Sequence, residues 1–126
     1  MEVASMIEVR IVDREKPILH VKFSGNTTVD EIERVNALMT QAYEELGRRK
    51  FYILGDSTDA KVLGSDTKKA FIDHQRRFVD LVLGVATVRT KAIIRNQFKS
   101  INEETGNDLE TDFDSYDKAL AYLKSL

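Results

Sequence analysis

The chain has 126 residues and a formal net charge of −2, with 42% hydrophobic and 32% charged residues. This length fits one compact domain with a continuous core, so we expect a single domain over residues 1–126. The absence of cysteine excludes disulfides, thiolate nucleophiles and cysteine zinc sites. No apolar run approaches the roughly 20 residues that span a bilayer, and the amino terminus lacks the features of a signal peptide. We therefore expect a cytoplasmic protein without a membrane span.

Charge is distributed unevenly along the chain. Residues 1–47 have a net charge of −4, residues 48–99 a net charge of +7 and residues 100–126 a net charge of −5. A basic centre could attract phosphate or nucleic acid. The aromatic residues near these basic groups fall on predicted core faces, however, and not among them as base-stacking platforms. We favour mutual neutralisation on a solvated surface and expect no nucleic-acid partner.

Two segments near the amino terminus alternate apolar and polar residues, which is the period of a half-buried strand. They are residues 7–11 and residues 18–24, and the polar segment between them holds the only proline, Pro17. The short connection predicts an antiparallel hairpin.

Helices and strands then alternate to the end of the chain. Thr28 and Glu31 have capping-box spacing at the start of the first helix, and Gly47 is placed to end it. Candidate caps of the three later helices are Ser65, Thr90 and Ser115. The apolar segments between the helices predict strands at residues 51–54, 81–88 and 109–113, where Gly84 permits close backbone packing or a bulge.

The order β-β-α-β-α-β-α-β-α predicts an α/β fold, a singly wound βα superhelix with a mixed five-stranded sheet. Right-handed crossovers between neighbouring parallel strands place their helices on one face. The alternating first, second and last strands agree with this, because a sheet buried on both faces is continuously apolar. We therefore expect all four helices on one face and a partly open opposite face, which carries His20.

The segment ILHVKFSG at residues 18–25, followed by the TVDE helix start at 28–31, resembles the SpoIIAA-like branch of the STAS (anti-anti-sigma factor) superfamily. The final strand and helix, TDFDSYDKALAYL at 111–123, are similar too. The resemblance implies a single STAS-like domain with a SpoIIAA-like fold. CRAL-TRIO lipid-transfer domains share that fold, so the fold alone does not select a function.

In anti-anti-sigma proteins the loop after the third strand carries Asp-Ser-Ser-Gly, and a partner kinase phosphorylates its serine. Here the loop is Asp56–Ser65, where Gly64 matches the motif glycine and Val62 and Leu63 occupy the serine positions. The resemblance therefore implies a partner-docking loop whose candidate docking or phospho-acceptor residues are Ser57, Thr58, Asp59, Gly64 and Ser65. The alternative, which we favour, is that Ser57 and Thr58 are solvated loop residues and Ser65 a helix cap.

No catalytic or metal-binding set emerges from the remaining polar residues. Asp13 and Asp56 lie at predicted strand ends on opposite sides of the layer, so we interpret them as turn carboxylates. His20 and His74 have no chelating partner at helical spacing, and no serine has a base beside it. Three alternating acids of the last strand, Glu110, Asp112 and Asp114, could bind a cation, but protection of a sheet edge is the explanation we prefer.

We conclude that the chain is not an enzyme, needs no cofactor and is a STAS-like regulatory or protein-interaction module, as in bacterial signalling. Its partner would be an anti-sigma-like kinase or another signalling protein. The alternative is a module that binds a small apolar ligand or lipid, in the manner of CRAL-TRIO domains, through residues such as Phe71, Phe78, Ile94 and Phe98. The exposed sheet edge leaves a homodimer open.

Overall fold

The computed structural model describes residues 6–106 and 109–126. The five strands are β1 (Met6–Asp13), β2 (Ile18–Ser24), β3 (Phe51–Asp56), β4 (Val82–Val88) and β5 (Glu110–Phe113). The four α-helices are α1 (Val29–Glu45), α2 (Ser65–Phe78), α3 (Ala92–Thr105) and α4 (Tyr116–Ser125), and a 3₁₀ turn at Val79–Leu81 follows α2. This order confirms the predicted succession of elements. None of the described helices combines the length and apolar content needed to cross a bilayer.

The strands form one sheet in the order β1-β2-β3-β4-β5. β1 and β2 form the predicted antiparallel hairpin, in which Val9 lies opposite Val21. The other neighbouring pairs are parallel, so each crossover adds a strand beside the previous one. The predicted fold class, a singly wound superhelix with a mixed five-stranded sheet, is confirmed.

Side-chain caps set two of the four helix starts. The Thr28 hydroxyl accepts a hydrogen bond from Glu31 N at 3.2 Å, and a Glu31 carboxylate oxygen accepts one from Thr28 N at 3.0 Å, so the predicted capping box is present. Ser115 caps α4 as predicted. Ser65 does not cap α2, because Gly64 O already accepts the first helical bond from Lys68 N and leaves Ser65 inside the helix.

The predicted cap of the third helix is also wrong, by one residue. Lys91 O accepts the first helical bond from Arg95 N, so Lys91 is the N-cap and Thr90 lies outside α3. Neither the α2 nor the α3 cap residue forms a side-chain cap bond.

The helices do not all lie on one face of the sheet. α1, α2 and α3 cover the face that carries Leu19, Val21 and Phe23, whereas α4 packs on the opposite face against Ile18, Leu54, Ala86 and Val88. The expectation of an open face is therefore wrong. Handedness fixes the face of a helix only when a parallel strand follows it, and no strand follows α4, so burial of apolar surface decides its position.

Gly84 allows α4 to approach the sheet closely. A Cβ at this position would lie 3.3 Å from a Tyr52 ring carbon and 3.6 Å from a Leu126 methyl carbon. The β3–β4 register also shifts by one residue between the pairs Phe51–Val82 and Tyr52–Gly84. Close packing and a bulge, the two predicted reasons for this glycine, therefore occur together.

We expect Leu123→Ala to lower the free energy of unfolding by about 2–5 kcal/mol, because it leaves a cavity beneath α4. Leu123 is fully buried, whereas Leu126 on the same segment is 52% exposed. The control Leu126→Ala should change stability by less than about 0.5 kcal/mol. Urea unfolding checks both values. Equal effects of the two substitutions would show that packing of Leu123 on this face of the sheet does not stabilise the fold.

Candidate functional site

The predicted docking loop is fixed to the sheet at its first half. Gly25 N donates to Asp59 O at 2.9 Å, and Lys61 N donates to Gly25 O at 3.1 Å. Gly25 and Ala60 thereby form a parallel bridge beyond the end of β2. The loop continues the sheet over these residues.

Ser57 and Thr58 are held in a turn, and Ser57 is buried, so the preferred interpretation of Ser57 as a solvated loop residue is wrong. Ser57 is only 6% exposed, and its N–H donates to Val88 O at 3.0 Å. The Thr58 hydroxyl and N–H both donate to Asp56 Oδ1, at 2.7 and 3.0 Å. Asp59 is exposed, and its carboxylate lies 3.8 Å from Lys22 Nζ.

Gly64 and Ser65 lie at the other end of the loop, where α2 begins. Both are exposed. In the described part of the chain no hydrogen bond joins them to Ser57, Thr58 or Asp59. The fold therefore brings the first three candidates together and separates them from the last two.

The loop is also bound to α3, through a contact that the sequence did not reveal. The Gln97 side chain accepts a hydrogen bond from Leu63 N at 2.8 Å and donates one to Leu63 O at 2.9 Å. Leu63 is 8% exposed, whereas the adjacent Val62 is 43% exposed. Ile93 is 64% exposed and lies one helical turn before Gln97 on the same face of α3.

This contact joins the loop segment that carries the exposed Val62 to the helix that carries the exposed Ile93. The loop–α3 surface is defined here as Val62 and Ile93 with the exposed lysines that precede them, Lys61 and Lys91. Among the described residues neither lysine has an ion-pair partner. The surface thus combines two exposed apolar residues with two exposed lysines.

Arg89 follows β4 and points onto the sheet face beneath α3. Its side chain is 4% exposed and forms ion pairs with Glu110 and with Asp112, the latter at 3.0 Å. Nη1 also donates to the Thr87 hydroxyl at 3.2 Å, and the guanidinium carbon lies 4.0 Å from the Phe98 ring centre. Burial lowers the pKa of Arg89 to about 10, and Asp112 opposes that shift, so the group stays charged at neutral pH.

These contacts correct the interpretation of the last-strand acids. Glu110 and Asp112 bind an internal guanidinium, so they are not primarily protection of the sheet edge and do not form a metal site. Asp114 lies elsewhere, 3.1 Å from Lys118 Nζ, and that contact lowers its pKa. The alternation on β5 correctly indicated a shared side for Glu110 and Asp112, but their partner is remote in the sequence.

A cavity of about 120 Å³ lies between the sheet and helices α2 and α3. Its lining is mainly apolar and includes Val21, Val85, Phe71 and Phe98, while Arg89 and Glu110 contribute polar atoms. Two of the residues predicted to bind an apolar ligand, Phe71 and Phe98, are thus both core residues and cavity residues. Phe78 also lines the cavity.

The two histidines occupy different faces of the sheet. His20 is buried against Tyr116 of α4, with 5.6 Å between ring centres, and burial lowers its pKa. Its predicted position on an open face is wrong. His74 Nδ1 lies 2.5 Å from the Asn36 amide oxygen. Neither histidine bonds a serine or threonine hydroxyl in the described part of the chain.

No three histidine, aspartate or glutamate side chains among the described residues are placed to hold a metal ion. Asp13 accepts hydrogen bonds from Glu15 N and Lys16 N at 3.0 and 3.2 Å. Asp56 binds Thr58 as described above. Both are turn carboxylates, which confirms their interpretation from the sequence.

Comparison with solved structures shows the SpoIIAA-like fold. The chain is similar to a protein of the DUF3478 family from Shewanella loihica PV-4, described as having this fold, with a TM-score of 0.78, 17% identity and 98% coverage of both chains. It is also similar to an anti-sigma factor antagonist from Mycobacterium paratuberculosis, with a TM-score of 0.61, 13% identity and coverage of 94% of this chain and 95% of the other. No family model matches the sequence, and no curated protein does so.

We expect Arg89→Met to lower the free energy of unfolding by about 3–5 kcal/mol, because it leaves buried carboxylate charge without its cation. The control Arg34→Met removes an exposed arginine and should change stability by less than about 0.5 kcal/mol. The double variant Arg89→Met/Glu110→Met should recover part of the loss. Denaturant unfolding measures all three, and a double variant no more stable than Arg89→Met would contradict the ion-pair account.

Stability should fall with His74 protonation as the pH decreases. Burial, with a smaller effect of Arg77, lowers the pKa of His74 from 6.5 to about 4 in the folded protein. The unfolded chain therefore binds the proton first, and stability present above pH 6.5 is lost between about pH 6.5 and 4, by roughly 3 kcal/mol in total. His74→Gln should flatten this part of the curve in urea unfolding. Other groups titrate in both proteins, so the difference between the two pH–stability curves reports on His74 alone. Identical curves for the wild type and His74→Gln would contradict the assignment.

Proposed function

We propose that this chain is a non-enzymatic protein-interaction module of a signalling system and that it docks its partner through the loop–α3 surface. The observation that carries the proposal is that the Gln97–Leu63 contact joins the loop segment with the exposed Val62 to the helix with the exposed Ile93. Single exposed apolar residues are common and need no explanation. Two on one fixed surface favour a contact site.

The charges around this surface indicate the chemistry of the partner. Lys61 directly precedes Val62, Lys91 lies two residues before Ile93, and both lysines are exposed. A complementary surface would have an apolar centre and acidic residues around it, because opposite charges steer the encounter and fix its orientation. We therefore propose an acidic protein partner.

The structural similarity supports a protein as the partner class. One similar structure is that of an anti-sigma factor antagonist. Its name describes a protein that opposes another protein, an anti-sigma factor. An anti-sigma-like kinase or another signalling protein is accordingly the partner that we propose for this chain. Cytoplasmic bacterial signalling would be the setting.

The alternative function is an apolar-ligand or lipid-binding module, and the volume of the cavity limits the size of the ligand that it could hold. Its volume of about 120 Å³ is below the roughly 150 Å³ of an apolar cavity that holds benzene. A long acyl chain needs several times this space. We therefore do not propose a lipid-transfer role, although a small ligand fits the volume.

If a kinase partner modifies this loop, we expect the phosphate on Ser65 and not on Ser57. Ser57 is 6% exposed and lies in a bonded turn, whereas Ser65 is exposed in the first turn of α2, where added negative charge is favourable. Peptide mapping of protein from its native source checks this. Phosphate on Ser57 with Ser65 unmodified would contradict it.

We expect Ile93→Ser to weaken partner binding by roughly 10- to 100-fold, because burial of an isoleucine side chain contributes about 1.5–3 kcal/mol. Affinity capture from native cytosol, followed by titration of the recovered partner, measures the effect. Leu83→Ser is the matched control, since Leu83 is 46% exposed at the amino end of β4, away from the loop. Equal recovery of the partner by both variants would reject this surface.

A further inference from the structure

The outer side of β1 is an unpaired edge of the sheet. β1 stands first in the strand order, beside β2. Among the residues that the structure describes, no hydrogen bond from outside the hairpin reaches the backbone of residues 7–11. These five residues pair regularly with β2, and the register shifts only beyond Ile11. Such an edge presents free backbone N–H and C=O groups to which another strand can bind.

The side chains of this edge form two rows. Ile7, Val9 and Ile11 are half-buried and pack against the core beneath α1, α2 and α3. Glu8 and Arg10 point to the opposite face and form an ion pair at 2.7 Å, with side chains that are 50% and 56% exposed. The edge thus carries opposite charges on the two sides of Val9. Lysines, a common protection of sheet edges, repel a second copy, whereas this arrangement attracts one.

Antiparallel pairing of two β1 strands has one register that suits both rows. With Val9 opposite Val9 of the second copy, Glu8 lies opposite Arg10 and Ile7 lies opposite Ile11, and each of these pairs occurs twice. A shift by two residues places either Glu8 opposite Glu8 or Arg10 opposite Arg10, and like charges directly opposite each other are destabilising. A shift by one residue moves every side chain to the wrong face.

We propose that two copies of this chain pair through β1 in the register centred on Val9. The two sheets then form one continuous sheet, and a two-fold axis at Val9 closes the assembly as a dimer. This inference does not depend on the proposed function, because β1 contributes no residue to the loop–α3 surface.

The other edge of the sheet does not provide an equivalent surface. β5 has four residues, and its two charged side chains, Glu110 and Asp112, are both acidic. They bind Arg89 of their own chain, so pairing of two β5 strands would bring like charges together. Pairing of β1 with β5 would be heterologous and would continue into an open chain of copies. Charge and closure therefore both favour β1 with itself.

We expect a weak dimer, because interfaces that bury less than about 1,200 Å² are typical of transient complexes. Sedimentation equilibrium of the full chain should show conversion of monomer to dimer between about 10 µM and 1 mM. A monomer throughout this range, or assembly into species larger than a dimer, would overturn the proposal.

Charge reversal tests the pairing of Glu8 with Arg10. Arg10→Glu gives the edge two acidic side chains and Glu8→Arg gives it two basic ones, so each variant should dimerise about tenfold more weakly or worse. An equimolar mixture of the two variants should associate like the wild type, because every opposite-charge pair is regained. Lys99→Glu is the control, since it makes the same charge change as Arg10→Glu at an exposed residue of α3, and it should dimerise like the wild type.

Unchanged dimerisation of Arg10→Glu would overturn the proposed register, and so would a mixture that associates no more tightly than either variant alone. Glu8 and Arg10 are both exposed, so neither substitution should unfold the chain.

Cross-linking locates the two-fold axis. The chain has no cysteine, so a disulfide in a single-cysteine variant joins two copies. In Val9→Cys the two substituted residues lie directly opposite, with a Cα separation of about 4.5–5.5 Å, which a disulfide allows. In Ile7→Cys they lie four residues apart along the paired strands, about 14 Å. Mild oxidation at a concentration that populates the dimer should cross-link Val9→Cys and not Ile7→Cys. Equal cross-linking of the two variants, or none of Val9→Cys, would overturn the register.

Discussion

The buried guanidinium of Arg89 is the interaction on which this end of the molecule depends. β5 has only four residues, and two of them, Glu110 and Asp112, bind this one side chain, which directly follows β4. Phe98 of α3 lies over the same guanidinium, and Arg95 Nε donates to Arg89 O at 2.7 Å. A single residue therefore joins the two last strands of the sheet to the helix between them.

The cost of this arrangement explains its form. A charged group at 4% exposure loses most of its hydration, and ion pairing at best restores that loss. Hydrophobic residues in place of the whole cluster of Arg89, Glu110 and Asp112 would often be equally stable, whereas replacement of Arg89 alone leaves the two carboxylates without their cation. The cluster is therefore better explained by what it positions: the start of α3 that carries Ile93, and the cavity that Arg89 lines.

Features encoded by neighbouring residues could be predicted from the sequence, and features encoded by remote contacts could not. The hairpin, the order of elements and the Thr28–Glu31 capping box depend on local spacing. The face occupied by α4 depends on apolar residues of three strands, and the partner of Glu110 lies 21 residues away. Arg89 is one of 12 basic residues between positions 48 and 99, and nothing in the sequence distinguishes it from the exposed ones.

A remote contact also explains how the predicted docking loop differs from the Asp-Ser-Ser-Gly motif. The resemblance matches Leu63 to a motif serine, but its side chain is buried and Gln97 binds both of its backbone polar groups. A kinase could reach a residue held in this way only after the loop had separated from α3. Val62, at the other serine position, is exposed but apolar. Under the alignment that the resemblance implies, these two positions carry a fixed backbone and an exposed apolar side chain where the motif has hydroxyl groups, so recognition there would depend on shape and burial instead of phosphate charge.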